Sequence, residues 1–371
     1  MRYSPRLTAI AGAGVLATSM AAGPAQASNH DSKTWKVDPG TGTISEAIDK
    51  AHAGDTLVLR DGTYYDSVII SKELTIRGAG WSETVVKPPD SSSSPCNDAS
   101  STQGFCVVTE HDLTSPTPDF DHPVKDVKIS DLRVTGFSNG VIAFNTKDLW
   151  VSDVRADHNT EYGIAAFASK HQTFQDNWTS YSDEAGLYMG DSPDAHGVLK
   201  DNKADHNGIG VFMRDSTYLT AEGNHATDNC AGILALNSGG EAAPWDSPAG
   251  NYTIEDNTVR NNNKACPAAE GHPAFSGHGI ALAGVHDTVV KGNEVTGNDS
   301  SATSDLPKGG IVVFSTAFLG GADPTDNTVR DNEAHKNMPA DIVWDESGSG
   351  NEVKNNDCHL AIPDNLGWCK D

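Results

Sequence analysis

The 371 residues carry 51 Asp and Glu against 26 Lys and Arg, a formal net charge of −25. A chain this acidic repels phosphate backbones and anionic surfaces, which argues against nucleic acid as a partner, and divalent cations such as calcium are the ions it admits. With 37% hydrophobic residues, 36 Gly and 18 Pro, it has the material for one large domain.

The chain opens as a secretory signal. Arg2 and Arg6 precede the apolar, small-residue stretch LTAIAGAGVLATSMAAGPA, and A-Q-A at Ala25 to Ala27 is a cleavage word. Residues 1–27 are therefore expected to be removed, leaving 28–371 as one secreted, extracellular domain. The cut takes away two arginines, so the mature charge is −25 − 2 = −27. No later segment is apolar enough to span a bilayer, and a monomer is expected.

Residues 43–64, TISEAIDKAHAGDTLVLRDGTY, predict a short helix followed by strands LVLR and SVIIS. Thr43 and Glu46 have capping-box spacing, and Ile44, Ala47, Ile48 and Ala51 share one helical face. Six cysteines follow along the chain. They fall into sequence-local pairs, Cys96 with Cys106, Cys230 with Cys266 and Cys358 with Cys369, and export would let each pair close a loop.

From Gly140 onward the sequence repeats. GVIAFNT, GIAAFAS, GLYMGDS, GIGVFMR and GILALNS begin at Gly140, Gly163, Gly186, Gly208 and Gly232, spaced 23, 23, 22 and 24 residues apart. GIALAGV from Gly279 and GIVVFST from Gly310 continue after insertions. A second phase ends short apolar runs in Asn: Asn177, Asn202, Asn224, Asn257, Asn293, Asn332 and Asn356. Five residues further on, Asn207, Asn229, Asn262, Asn298 and Asn337 recur. Short runs of period two, bounded by Gly or Asn, are strands, and a period in the low twenties predicts a coil of stacked parallel strands. Stacking sets equivalent residues about 4.8 Å apart, close enough for each Asn amide to bond the next.

These rungs resemble right-handed parallel β-helix proteins of the pectin-lyase-like superfamily. The resemblance implies an all-β fold, a single right-handed parallel β-helix solenoid of roughly nine or ten rungs whose N-terminal helix caps the apolar end. It implies a polysaccharide ligand and leaves open several classes: a polysaccharide lyase, a glycoside hydrolase, or a non-catalytic glycan- or protein-binding surface protein. The paired-Asp and His motifs of polygalacturonase-like hydrolases are absent. So are the Asp-Pro-His-Asp word of mannuronan epimerases and the Asn- and Arg-rich blocks of chondroitinase- and alginate-type lyases. The chain is most similar to secreted β-helix repeats of unassigned role. NosD-type copper accessory proteins share the repeat, but no Met, His and Cys cluster for copper is legible.

Residues one and three places after each Gly are apolar and are expected inside. Those two and four places after it should point outward, yet they too are apolar. Insertions 239–251, 264–278, 299–308 and 317–326 would cover this face, or it floors a groove where Phe144, Phe167, Tyr188 and Phe212 meet flat sugar faces, and both hold if the insertions form the groove walls. The Asp-His words at Asp157–His158 and Asp205–His206 recur, so they read as turn residues. Arg214 reads differently. Aligned with Thr146, Ser169, Ser192, Ser238 and Thr316, it breaks a small-polar rule. With Lys170, Asp191, Asp194 and Asp215 it forms a candidate charged site. In the family resembled, such residues take the proton beside a uronate carboxylate and neutralise that acid, calcium assisting in some members. His272, His278 and His286 sit around insertions and read as solvated loop residues.

Overall fold

The computed structural model describes residues 31–370 except 92–93, 98–100, 116, 240–248, 270–272 and 365–366. The expected signal peptide lies outside the described residues. The chain winds as a parallel β-helix. One sheet stacks eleven strands, from Val68–Ile70 to Ala361–Ile362, one or two more rungs than the repeats suggest. A second sheet of 21 short strands runs around a corner, so that most rungs contribute two strands to it.

Register explains the core. Val141, Ile164, Leu187, Val211, Ile233, Ile280, Ile311 and Ile342 stand opposite one another in successive rungs. All are fully buried, and they pack against Val151, Phe174, Leu199, Ala221 and Ile254 of the second sheet. One rung departs from the sequence reading. Its strand aligns on Gly210 rather than Gly208, because Ala185 pairs with Ile209 and Leu187 with Val211. Ile209, expected inside, packs outward, and Met213 takes the inner place. Glycine is required at 210: a Cβ there would lie 2.6 Å from the Gly232 carbonyl and 2.9 Å from the Asn229 amide.

The corners use residues that tolerate left-handed backbone. Asp131, Asp153, Asp176 and Asp201 form one such column, with φ between 53° and 58°. From Asp176 on, the residue after this column carries the asparagine ladder, beginning with Asn177 and Asn202. Asn177 Nδ2 donates to Asn202 Oδ1 at 3.0 Å, Asn202 to Asn224 at 2.9 Å, and Asn224 to Asn257 at 3.0 Å. The second ladder runs from Asn229 through Asn262 and Asn298 to Asn337, and there it meets a carboxylate, Asp341.

The helix Thr43–Lys50 covers the first rung with Ile44, Ala47 and Ile48 buried. The expected capping box does not form: Thr43 bonds the Asp38 carbonyl instead. Asp66, from the end of a neighbouring strand, accepts the Ile44 and Ser45 N–H groups at 3.0 and 2.9 Å. A carboxylate at a helix N-terminus satisfies donors with no intrahelical partner and suits the dipole. All three predicted disulfides are present.

Candidate functional site

Two adjacent strands set the site. Ala185–Ser192 and Ile209–Ser216 are eight residues long, against six for Tyr162–Phe167 before them and Ala231–Leu236 after. Their extra length carries the ladder past the usual corner. Gly190 stands opposite both Phe167 and Arg214, and Arg214 opposite Leu236. Arg214 therefore interrupts an outward apolar column. It is Ser216, paired with Ser192, that belongs to the small-polar column where the sequence alignment placed Arg214. Asp191 and Asp215 are neighbours in the next column, both left-handed, with φ 51° and 43°.

The three charges are buried. Arg214 is 3% exposed, Asp191 5% and Asp215 0%. Arg214 Nε lies 3.2 Å from Asp215 Oδ2, and its Nη2 donates to the Ser238 hydroxyl at 3.0 Å. Asp215 Oδ1 accepts the Ser238 N–H at 2.7 Å, and the Ser238 hydroxyl donates to Oδ2. Tyr188 folds back over its own strand and donates its hydroxyl to Asp191 at 3.1 Å. This explains Gly190, where a Cβ would come within 2.2 Å of that hydroxyl. Burial pushes the Asp191 carboxyl up to about 6; Arg214 opposes the shift and Asp215 adds to it. Burial also raises the Tyr188 and Tyr162 hydroxyls, which stay protonated.

Lys170 and Asp194, the other two members of the predicted cluster, are placed apart from this group. They form an exposed ion pair at 2.7 Å, and Asp194 also meets His196 at 2.8 Å. The four aromatic candidates lie on one face, as the alternation predicts. Phe167 and Tyr188 have ring centroids 4.6 Å apart, Tyr188 and Phe212 5.3 Å. They are covered: Tyr188 is 0% exposed, Phe212 2% and Phe167 9%, while Phe144 is half-buried. Phe275 and Leu306, from insertions 264–278 and 299–308, pack on this outer cluster. Insertion 317–326 ties in beside Thr316, whose hydroxyl donates to the Asn237 carbonyl. Most of insertion 239–251 lies outside the described residues, as does His272.

His158 and His206 are turn residues two rungs apart, and Tyr181 stacks between them at 4.7 and 5.0 Å. His278 differs from its sequence reading. It opens the strand His278–Ala283 and is 2% exposed. Burial pushes it down to about 4, overcoming the Pro307 carbonyl, and Lys308 adds to the fall. No group of three carboxylates converges to cage a hard cation among the described residues. In the corner column, burial, then Asp131 and Asp176, push the Asp153 carboxyl upward.

The sequence matches the family described as the right handed beta helix region over residues 100–247 and 140–318, together more than half of the chain. The chain belongs to the right handed beta helix family. No curated protein sequence matches it. Among solved structures it is similar to the A-module of a mannuronan C-5 epimerase from Azotobacter vinelandii, at 18% identity and a TM-score of 0.60, covering 85% of this chain and 89% of that one. It is also similar to the catalytic domain of a GH87 alpha-1,3-glucanase in complex with tetrasaccharides, at 12% identity and 0.59, covering 92% and 67%. A third likeness is the tailspike protein of E. coli bacteriophage HK620 in complex with a pentasaccharide, at 15% and 0.57, covering 88% and 60%. Identities this low speak to the fold.

Within this right handed beta helix, the buried group has two chemical capacities. Arg214 is a permanent cation in a low-dielectric setting, suited to holding a carboxylate. Asp191 titrates near neutrality, where a carboxyl can both give and take a proton.

Proposed function

We propose that the protein engages an extracellular polysaccharide, with Asp191, Arg214 and Asp215 at the reacting end of the outward sheet face. The observation that carries this reading is Arg214 itself, a charged residue in a column otherwise built of Phe, Gly, Leu and Ala, flanked by two stacked carboxyls. Carboxyls raised this far by burial beside a charged partner cluster at functional sites. Arg214 would neutralise a uronate carboxylate, and Asp191 would move the proton. Phe167, Tyr188 and Phe212 would supply the apolar floor. The likeness to polysaccharide-acting β-helices supports the choice of ligand. The three disulfides support an oxidising, extracellular setting. Lys170 and Asp194 would lie at the rim.

A second reading rests on burial. With the face covered, Arg214, Asp215 and Ser238 would fasten neighbouring rungs, and the protein would bind glycan without turnover. One experiment separates the two. Purified protein is incubated with acidic and with neutral polysaccharides, with and without calcium. New ultraviolet absorbance from unsaturated uronates reports a lyase, and new reducing ends alone report a hydrolase. Either product, abolished by Asp191→Asn, supports the catalytic reading. Binding with neither product supports the second, and no binding to any glycan overturns both.

A further inference from the structure

The last two rungs bring together a pair of histidines that short-spacing motifs do not reveal. Glu333 stands opposite Asp357 and Ala334 opposite Cys358, so His335 faces His359 one rung on. Their Nδ1 atoms are 3.1 Å apart. Two imidazole nitrogens bound to one tetrahedral ion with ordinary bond lengths would be about 3.3 Å apart. The opposite nitrogen of His335, Nε2, faces carboxylates, at 3.3 Å from Asp357 and 3.9 Å from Glu333. A carboxylate there holds the proton on Nε2 and leaves the Nδ1 lone pair directed at the gap. Asp341 completes the group, with ligand atoms of all three residues within 4.8 Å of one another. Its carboxylate is held by four N–H donors: two from Asn337 and the backbone groups of His359 and Leu360. It is thus a fixed negative charge beside the pair. His335 is half-buried and His359 exposed, so water can fill the remaining positions. All six cysteines are in disulfides, and no thiolate competes.

We propose that His335 and His359 bind one borderline transition-metal ion of the Zn²⁺ class, with Asp341 as charge partner, and that the ion fastens the final two rungs. Imidazole nitrogens suit such ions, whereas calcium takes oxygen ligands. A contrasting pair shows what the site requires. His171 and His196 also neighbour each other, but their ring centroids stand 5.9 Å apart, against 4.8 Å for His335 and His359.

The test is titration of untagged full-length protein with Zn²⁺ by calorimetry, paired with thermal melting. One ion per chain and a raised Tm are expected, with affinity at least tenfold weaker in His359→Ala and His335→Asn and unchanged in His196→Ala. His359 is exposed, so its variant keeps the fold, which the metal-free Tm verifies. The proposal is overturned by no saturable binding up to millimolar Zn²⁺, by undiminished affinity in His359→Ala, or by an equal loss in His196→Ala.

Discussion

Asp191 and His278 are both buried and titrate in opposite senses. Asp191 is raised from 3.8 to about 6, so its contribution to stability is complete below about 4 and is lost as pH rises through about 6. His278 is lowered from 6.5 to about 4, so its contribution is complete above about 6.5 and is lost as pH falls through about 4. Between these limits each moves stability by up to about 1.4 kcal/mol per pH unit, in opposing directions. Urea unfolding at pH 4.5 and 6 should therefore show little net slope from this pair in the parent. Asp191→Asn should uncover stability that rises with pH, and His278→Leu stability that falls with it. A parent slope unchanged in both variants would remove the argument. Arg214 is a poorer probe of activity. Arg214→Ala takes the cation from beside the buried Asp215 and should cost about 3–5 kcal/mol, read as a large drop in Tm. Asp191→Asn preserves shape and is the cleaner variant for turnover. Asp191, Arg214 and Asp215 were expected in one charged cluster and do lie together; their register and the burial of His278 were not legible. Arg214 sits two positions off where a Gly-to-Gly alignment puts it, because Gly208-Ile-Gly210 offers two glycines and only strand pairing chooses between them. That slip also joined Lys170 and Asp194 to a group they do not touch.

At the scale of the element, the rung is specified by a few residues with narrow physical requirements. Both Asn ladders were readable because an amide that must bond the rung above and below admits almost no substitute. Asn257 shows the cost. It accepts the Asn224 N–H and Nδ2 at 2.8 and 3.0 Å and donates to Ala221 and Asn293, all buried. Asn257→Ala should strand several polar groups and cost about 3–5 kcal/mol, measured by chemical denaturation. The capping box was misread for the opposite reason: its spacing is local, while Asp66, which does the capping, comes from the next strand pair. Contacts made between rungs are visible in sequence only when both partners repeat. The Asn columns do; Asp66, His335 and His359 do not.

For the whole molecule, the insertions decide what the outer face can meet. Alternation in the sequence showed that the face is apolar, but not that loops lie on it, since their packing has no period. Cys266, within one such loop, is bound to Cys230 at the start of a strand, 36 residues away. Closing a loop of that length stabilises by about 4 kcal/mol in the chain-entropy account. Reduction should release residues 264–278 first, seen as cleavage there under limited proteolysis and as new binding of a hydrophobic dye while the strand signal persists. Loss of strand signal at the same reductant concentration would contradict this order. One ladder also has a chemical terminus. Along the second ladder every Asn both gives and receives, until Asp341, which only receives. A duplicated rung could be spliced in anywhere between Asn229 and Asn337 with its amides matched on both sides. Past that point the backbone takes over: Asp341 accepts the N–H groups of His359 and Leu360 from the next turn of the chain, and the strand Ala361–Ile362 follows. The ladder therefore closes on a carboxylate four residues along the chain, which collects donors from both sides where a further Asn would have had to give one.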